Sequence, residues 1–163
     1  TRLRKLREGN YEAILLACAG LHRLGLQDQS TERVPIEQIC PAVGQGALGI
    51  EARADDQQVL RRLECLHHEE TRYAVAAERA LLRRLGGGCQ VPIAGHAWVE
   101  GQTLQLLGVV ASVDGRQIFR ERSNSPLNKA DWLGVQVAES LLRQGARGIV
   151  DVYSGRSPSS AAN

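Results

Sequence analysis

Three strand-like runs, 93–100, 103–113 and 116–123, follow one another with almost no chain between them. Glu100-Gly101-Gln102 and Asp114-Gly115 supply tight turns at the two joints, so the runs must fold back on each other as an antiparallel meander. A helix over residues 69–85 precedes them, with Val75, Leu82 and Leu85 at helical spacing, Glu69 and Glu70 at its start and Arg83 and Arg84 at its end. Gly86-Gly87-Gly88 stops that helix and Cys89 follows at once. Ser125-Pro126 breaks the meander. A last helix then starts at Asn128 or Asp131 and runs through Arg143 to Gly145, with Ile149 to Tyr153 a short strand or helical extension. Helix, three antiparallel strands and helix form an α+β unit able to fold alone.

The first 66 residues have a different character. A short helix over 2–8 ends at Gly9-Asn10, an apolar run from Tyr11 to Cys18 has the pattern of a buried parallel strand, and Ala19 to Gly25 leaves it as a short helix. Pro41-Ala42-Val43-Gly44-Gln45-Gly46 is a glycine-rich loop entering a second strand-like run, Leu48 to Arg53. Asp55 or Asp56 is placed to cap a helix running to about Leu66, with His67-His68 as the joint to the long helix. Isolated parallel strands need companions for their hydrogen bonds and apolar faces. The chain has no methionine and opens directly on an Arg/Leu pattern. Together these features predict a piece of a longer protein whose missing strands lie upstream.

Composition removes several classes of function. A net charge of +2 and an aromatic content of 4% argue against a nucleic-acid surface. No run of about 18 apolar residues is present, so no membrane span is expected. The four cysteines form no CxxC pair, which leaves out zinc-ribbon and thioredoxin-type sites, and no metal site is expected from His67, His68 and His96. Of the 20 basic residues only Lys5 and Lys129 are lysine. An arginine-rich set suits planar, bidentate binding of carboxylates or phosphates, although a GC-rich genome gives the same bias.

Cys89 is the candidate for chemistry. Three glycines before it let a bulky group approach the backbone, and Arg79, Arg83 and Arg84 upstream favour the thiolate. The same residues also fit a helix cap followed by a small buried cysteine. Asp55 and Asp56 read as a helix cap, not as a catalytic pair.

Several segments, in order, resemble the porphobilinogen deaminase (hydroxymethylbilane synthase) family. Gly87-Gly88-Cys89-Gln90-Val91-Pro92 resembles the family's cofactor-attachment signature, and Thr1-Arg2 the end of its Arg-Gly-Asn-x-x-Thr-Arg segment. Ala17 to Gly25 is similar to its Ala-x-Ala-Gly-Leu-x-Arg-Leu segment, and Pro41 to Gly46 to its Pro-x-x-Gly-Gln-Gly loop. His68-Glu69 and Ala77-Glu78-Arg79 match the helix leading to the cysteine. The resemblance covers nearly the whole chain.

The resemblance implies the C-terminal half of a three-domain enzyme of mixed α/β and α+β class. Pieces of two periplasmic-binding-protein-like α/β domains would be followed by an α+β domain with a three-stranded antiparallel sheet. Residues 1–45 would end domain 2, 46–66 would return to domain 1, and 67–163 would be the cofactor-attachment domain, with 154–163 a flexible tail. Cys89 would hold a dipyrromethane cofactor through a thioether. Four porphobilinogen molecules would be added in turn, each losing ammonia, before hydrolysis releases hydroxymethylbilane. The growing chain carries about a dozen carboxylates, whose repulsion fixed guanidinium groups offset. Arg2 and Arg23 match family arginines that bind these side chains. Ala17 and Gly20 would offer backbone N–H groups to cofactor carboxylates at the start of a helix. Gly44 and Gln45 belong to a loop that brings backbone up to the pyrroles, with Gln45 near the chemistry; the same loop also reads as a domain hinge. The family's proton-handling aspartate lies upstream, so no catalytic residue is expected here and the fragment alone should be inactive. Partners would be porphobilinogen and the N-terminal half of the same enzyme, a cytoplasmic monomer when intact, with no nucleic acid and no membrane. The competing reading is a non-catalytic anion-binding α/β module that uses Arg2, Arg23 and the Gly44–Gly46 loop and leaves Cys89 unmodified.

Overall fold

The structure, a computed structural model, describes residues 1–86 and 91–154. The backbone clusters into two units, Thr1–Pro35 and Ile36–Asn163.

In the first unit α1 (Arg2–Arg7) and α2 (Cys18–Arg23) flank an extended stretch, and one 3-10 turn, Gln27–Gln29, follows. Gly25 takes φ +65° just past α2, where the left-handed backbone lets Leu26 N–H reach back to the Leu21 carbonyl at 2.9 Å. Leu21 is the one buried side chain of α2, and Arg7 Nη2 donates to Gln29 Oε1 at 2.7 Å. The expected strand from Tyr11 to Cys18 does not form. Tyr11 and Leu15 are exposed, and Cys18 already belongs to α2. The run from Leu48 to Arg53 in the second unit is also extended without pairing, and Leu48 is 89% exposed. Both corrections have one physical cause. A strand exists only through its ladder, and no neighbouring strand is present among the described residues to accept these N–H groups or cover these apolar side chains.

The second unit is the α+β assembly. After α3 (Gln57–Leu63) and a 3-10 turn, α4 (Glu69–Leu85) leads to β1 (Ile93–Glu100), β2 (Thr103–Ala111) and β3 (Ile118–Pro126), then to α5 (Ala130–Leu141) and α6 (Arg147–Ser154). The sheet is antiparallel in the order β1-β2-β3. Its turns carry Gly101 at φ +62° and Gly115 at φ +71°, as the turn residues predicted. β3 begins later than expected and continues through Ser125 and Pro126, which pair with Leu104 and Thr103. A proline is tolerated there because it ends an edge strand. α5 starts from Lys129, not from Asn128 or Asp131. A widened turn over Leu142–Ala146 with Gly145 at φ +116° separates it from α6, so the last segment is helical, not a strand.

The core lies between the sheet and the α4/α5 pair. Leu104, Leu106 and Val110 from β2 meet Leu81 from α4 and Leu133, Val137 and Leu141 from α5, and all seven are fully buried. Each such side chain contributes roughly 2–3 kcal/mol by leaving water. Gly95 and Gly108 are cross-strand partners, and a Cβ on either would meet Leu81 Cδ2, at 2.9 and 3.2 Å. At the helix crossing, a Cβ on Gly134 would overlap the Ala77 carbonyl oxygen and come within 2.7 Å of the Leu81 amide nitrogen. Arg83 bonds Asp131 at 2.8 Å, and Arg84 Nε bonds Glu139 at 2.7 Å, on the exposed rim of the same crossing. No helix among the described residues is long and apolar enough to cross a membrane.

Candidate functional site

In the first unit, Arg2, Ala17 and Gly20 come together on one open groove, walled by Leu3, Leu16, Leu21, Leu24 and Leu26. Arg2 follows Thr1 at the start of α1, while Ala17 precedes α2 in extended conformation. A guanidinium over an apolar wall suits a flat ring bearing carboxylates. One expected donor is already engaged: the Gly20 N–H bonds the Ala17 carbonyl at 3.0 Å, as the α2 turn tightens. Gly20 therefore lends the groove its open surface, not its N–H. Arg23 is exposed in the last turn of α2 and does not line this groove.

Gly44 and Gln45 lie in the second unit. Gly44 takes φ +78°, a backbone that glycine adopts without strain, and Gln45 N–H returns to the Ala42 carbonyl at 3.2 Å. Gln45 itself is exposed. Cys89 lies outside the described residues; the chain on either side ends at Gly86, left-handed at φ +70°, and resumes at the buried Val91.

A residue that carried no role in the sequence reading organises this region. Glu78 is 4% exposed on α4, and its two carboxylate oxygens take two backbone N–H groups from different segments. Oε2 accepts from Gly44 at 2.7 Å and Oε1 from Ala97 at 2.8 Å. His96 Nδ1 stands 3.9 Å from Oε1. The signal was present in the sequence: Glu78 falls on the same stripe as Ala77, Leu81 and Leu85, an acid where the helix turns its apolar face inward. A buried carboxylate persists only when its oxygens are bonded.

Cys40 borders a second cavity with Ile39, Pro92, Val109, Ile118 and Arg120 on the sheet face away from α4 and α5. Burial, reinforced by the negative charge of Glu78 and opposed by Arg120, pushes its thiol up to about 11. Cys18 and Cys65 are free and exposed. His67 bonds Glu69 at 3.0 Å and His68 Nδ1 accepts the Thr71 N–H at 3.3 Å, so both histidines serve the start of α4. Asp56 Oδ1 accepts the Val59 N–H at 3.1 Å, the cap expected of it.

Comparison with known proteins assigns these pieces. The family model described as "Porphobilinogen deaminase, dipyromethane cofactor binding domain" matches residues 1–61, and "Porphobilinogen deaminase, C-terminal domain" matches 72–143. The chain is 51% identical over 154 residues to a porphobilinogen deaminase of Trichlorobacter lovleyi, covering 94% of this chain and 49% of that protein. It is 50% identical over 154 residues to the Geobacter metallireducens porphobilinogen deaminase, covering 94% and 48%. It is 52% identical over 152 residues to that of Syntrophobacter fumaroxidans, covering 93% and 49%. The chain thus spans about half the length of the curated relatives it matches. With both parts of the family pattern in order, and a mixed helix–strand fold with a three-stranded antiparallel sheet behind them, the chain belongs to the porphobilinogen deaminase family.

Proposed function

We propose that these residues form the C-terminal half of a hydroxymethylbilane synthase, a transferase of haem biosynthesis that builds a linear tetrapyrrole on a dipyrromethane held by Cys89. The observation that carries the reading is the groove joining Arg2, Ala17 and Gly20, within the stretch that matches the dipyrromethane-binding family model. The bound dipyrromethane would supply the pyrrole terminus to which four porphobilinogen units are joined, each with loss of ammonia.

The residues of this chain would bind and hold. The Cys89 sulfur is the permanent anchor. Arg2, and Arg23 from the end of α2, offset the carboxylates that accumulate as the chain lengthens; guanidinium–carboxylate bonds keep their strength in a cleft that sheds water. Ala17 and Gly20 give a surface without bulky side chains, against which a ring can lie. The Gly44–Gln45–Gly46 loop brings backbone and the Gln45 amide towards the reacting end. Proton transfer falls to an aspartate upstream of these residues, so the chain by itself is inactive and needs the N-terminal half as its partner. The intact enzyme is read as a cytoplasmic monomer of three domains, with residues 1–45, 46–66 and 67–163 contributing to the second, first and third.

Intact mass of the full-length protein, purified from its host, tests the reading. A dipyrromethane adduct that disappears in Cys89→Ser, together with tetrapyrrole output, is expected. An unmodified and inactive wild-type protein would overturn it.

A further inference from the structure

We infer that Glu78 is a positioning residue for the Gly44–Gln45–Gly46 loop, holding it against the edge of the sheet that follows Cys89. The inference rests on the function proposed above.

The geometry has three parts. β1 is an edge strand, and two of its outward N–H groups are taken by non-strand partners: Gly95 donates to the Pro41 carbonyl at 3.0 Å and Ala97 to Glu78 Oε1 at 2.8 Å. The other oxygen of Glu78 takes the Gly44 N–H at 2.7 Å. The segment entering the loop is therefore fixed twice along β1, by its own Pro41 carbonyl and by the carboxylate beyond it. Gln45, next to the clamped amide, remains exposed and free to meet a ligand.

An ionised carboxylate is an acceptor at both oxygens, which suits two convergent N–H groups. No other residue type does this at the same reach. Glutamine offers one acceptor and turns an NH₂ donor towards the second N–H. Aspartate is one methylene shorter and cannot span both partners. Both N–H groups belong to segments distant in sequence, 34 and 19 residues from Glu78, so the clamp sets tertiary position and adds nothing to the helix that carries it. Displacement of a positioned group by about 1 Å can cost on the order of a hundredfold in rate. A side chain that only stabilised the fold would change melting temperature and leave turnover per folded enzyme intact.

The test uses the full-length enzyme as wild type, Glu78→Gln and Glu78→Asp, with porphobilinogen as substrate. Glu78→Gln is expected to retain its pyrrole adduct by intact mass while kcat falls about tenfold or more with KM within about threefold, in line with a loop out of place. Hydrogen exchange in the peptide spanning residues 42–47 should speed at least about tenfold, with α5 unchanged. Glu78→Asp should not rescue either property. Wild-type turnover per loaded Glu78→Gln enzyme, or unchanged exchange over 42–47, overturns the inference. Should the variants fail to fold, wild-type exchange decides: the Gly44 amide must be protected, and exchange at the rate of an open loop rejects the clamp. A wild-type enzyme without pyrrole would sink the proposed function instead, and leave the exchange measurement to judge Glu78 separately.

Discussion

Gly95 and Gly108 face each other across β1 and β2, and the hollow left by their missing side chains receives Leu81 of α4. The sheet and the helix leading to Cys89 are therefore registered by a knob seated between two glycines. Gly108→Ala would put a Cβ 2.7 Å from Val137 Cγ1 and 3.2 Å from Leu81 Cδ2 and Leu141 Cδ1. Its expected cost is about 1–3 kcal/mol, read as a lower urea midpoint with unchanged slope. Gly134→Ala meets backbone instead of flexible side-chain ends, so it should cost more, about 3 kcal/mol or above, because α4 and α5 must part.

Thiol chemistry separates the cysteines. With Cys40 pushed up to about 11 against an ordinary value of 9.0, its thiolate fraction at pH 8 is about a hundredfold below that of an unperturbed thiol. Iodoacetamide followed by peptide mass mapping should label the exposed Cys18 and Cys65 first, with Cys40 catching up as pH approaches 11. The sign for stability follows. Between pH 9 and 11 the unfolded chain loses this proton while the folded one keeps it, so stability should decline over that window, and Cys40→Ala should flatten the decline. Equal labelling of Cys40 and Cys65 at pH 8 would contradict the burial.

The groove makes a charge-geometry prediction. In the full-length enzyme Arg2→Ala should raise KM for porphobilinogen about tenfold to a hundredfold, the loss of one charged hydrogen bond, while Arg2→Lys should recover only part because it keeps charge without the fork. Steady-state kinetics at fixed ionic strength reads both. Equal KM in Arg2→Ala and wild type would remove Arg2 from the site.

Asp56 gives a control of opposite kind. Asp56→Asn should keep the cap on α3 and leave turnover unchanged, whereas Asp56→Ala should cost about 1 kcal/mol without altering kcat. Loss of turnover in the asparagine variant would return this aspartate to the chemistry.

The parts of the fold legible in sequence are those whose signals are local. α4 announces itself by spacing, end charges and the glycine that halts it, and the meander by turn residues that the structure places at positive φ. The runs 11–18 and 48–53 have the composition of strands, yet composition cannot supply a ladder partner, and both lie extended and unpaired among the described residues. Of the expected site residues, Arg2, Ala17 and Gly20 line one groove, a proximity that their separation in sequence does not reveal. Arg23 is exposed and is not among the residues that line it, and the Gly20 N–H is taken by the Ala17 carbonyl three residues back. Glu78 escaped because its partners are backbone atoms remote in sequence, which leave no trace in side-chain pattern beyond one acid on an apolar stripe.

A sheet of three strands normally advertises its rim to any passing polypeptide. Here the rim of β1 is occupied by a carbonyl from Pro41 and a carboxylate from Glu78, so an incoming strand would find the Gly95 and Ala97 amides spoken for. Those two amides are held without a fourth strand, which guards the Gly95–Ala97 stretch of the edge against stray pairing while the same contacts hold the loop in place.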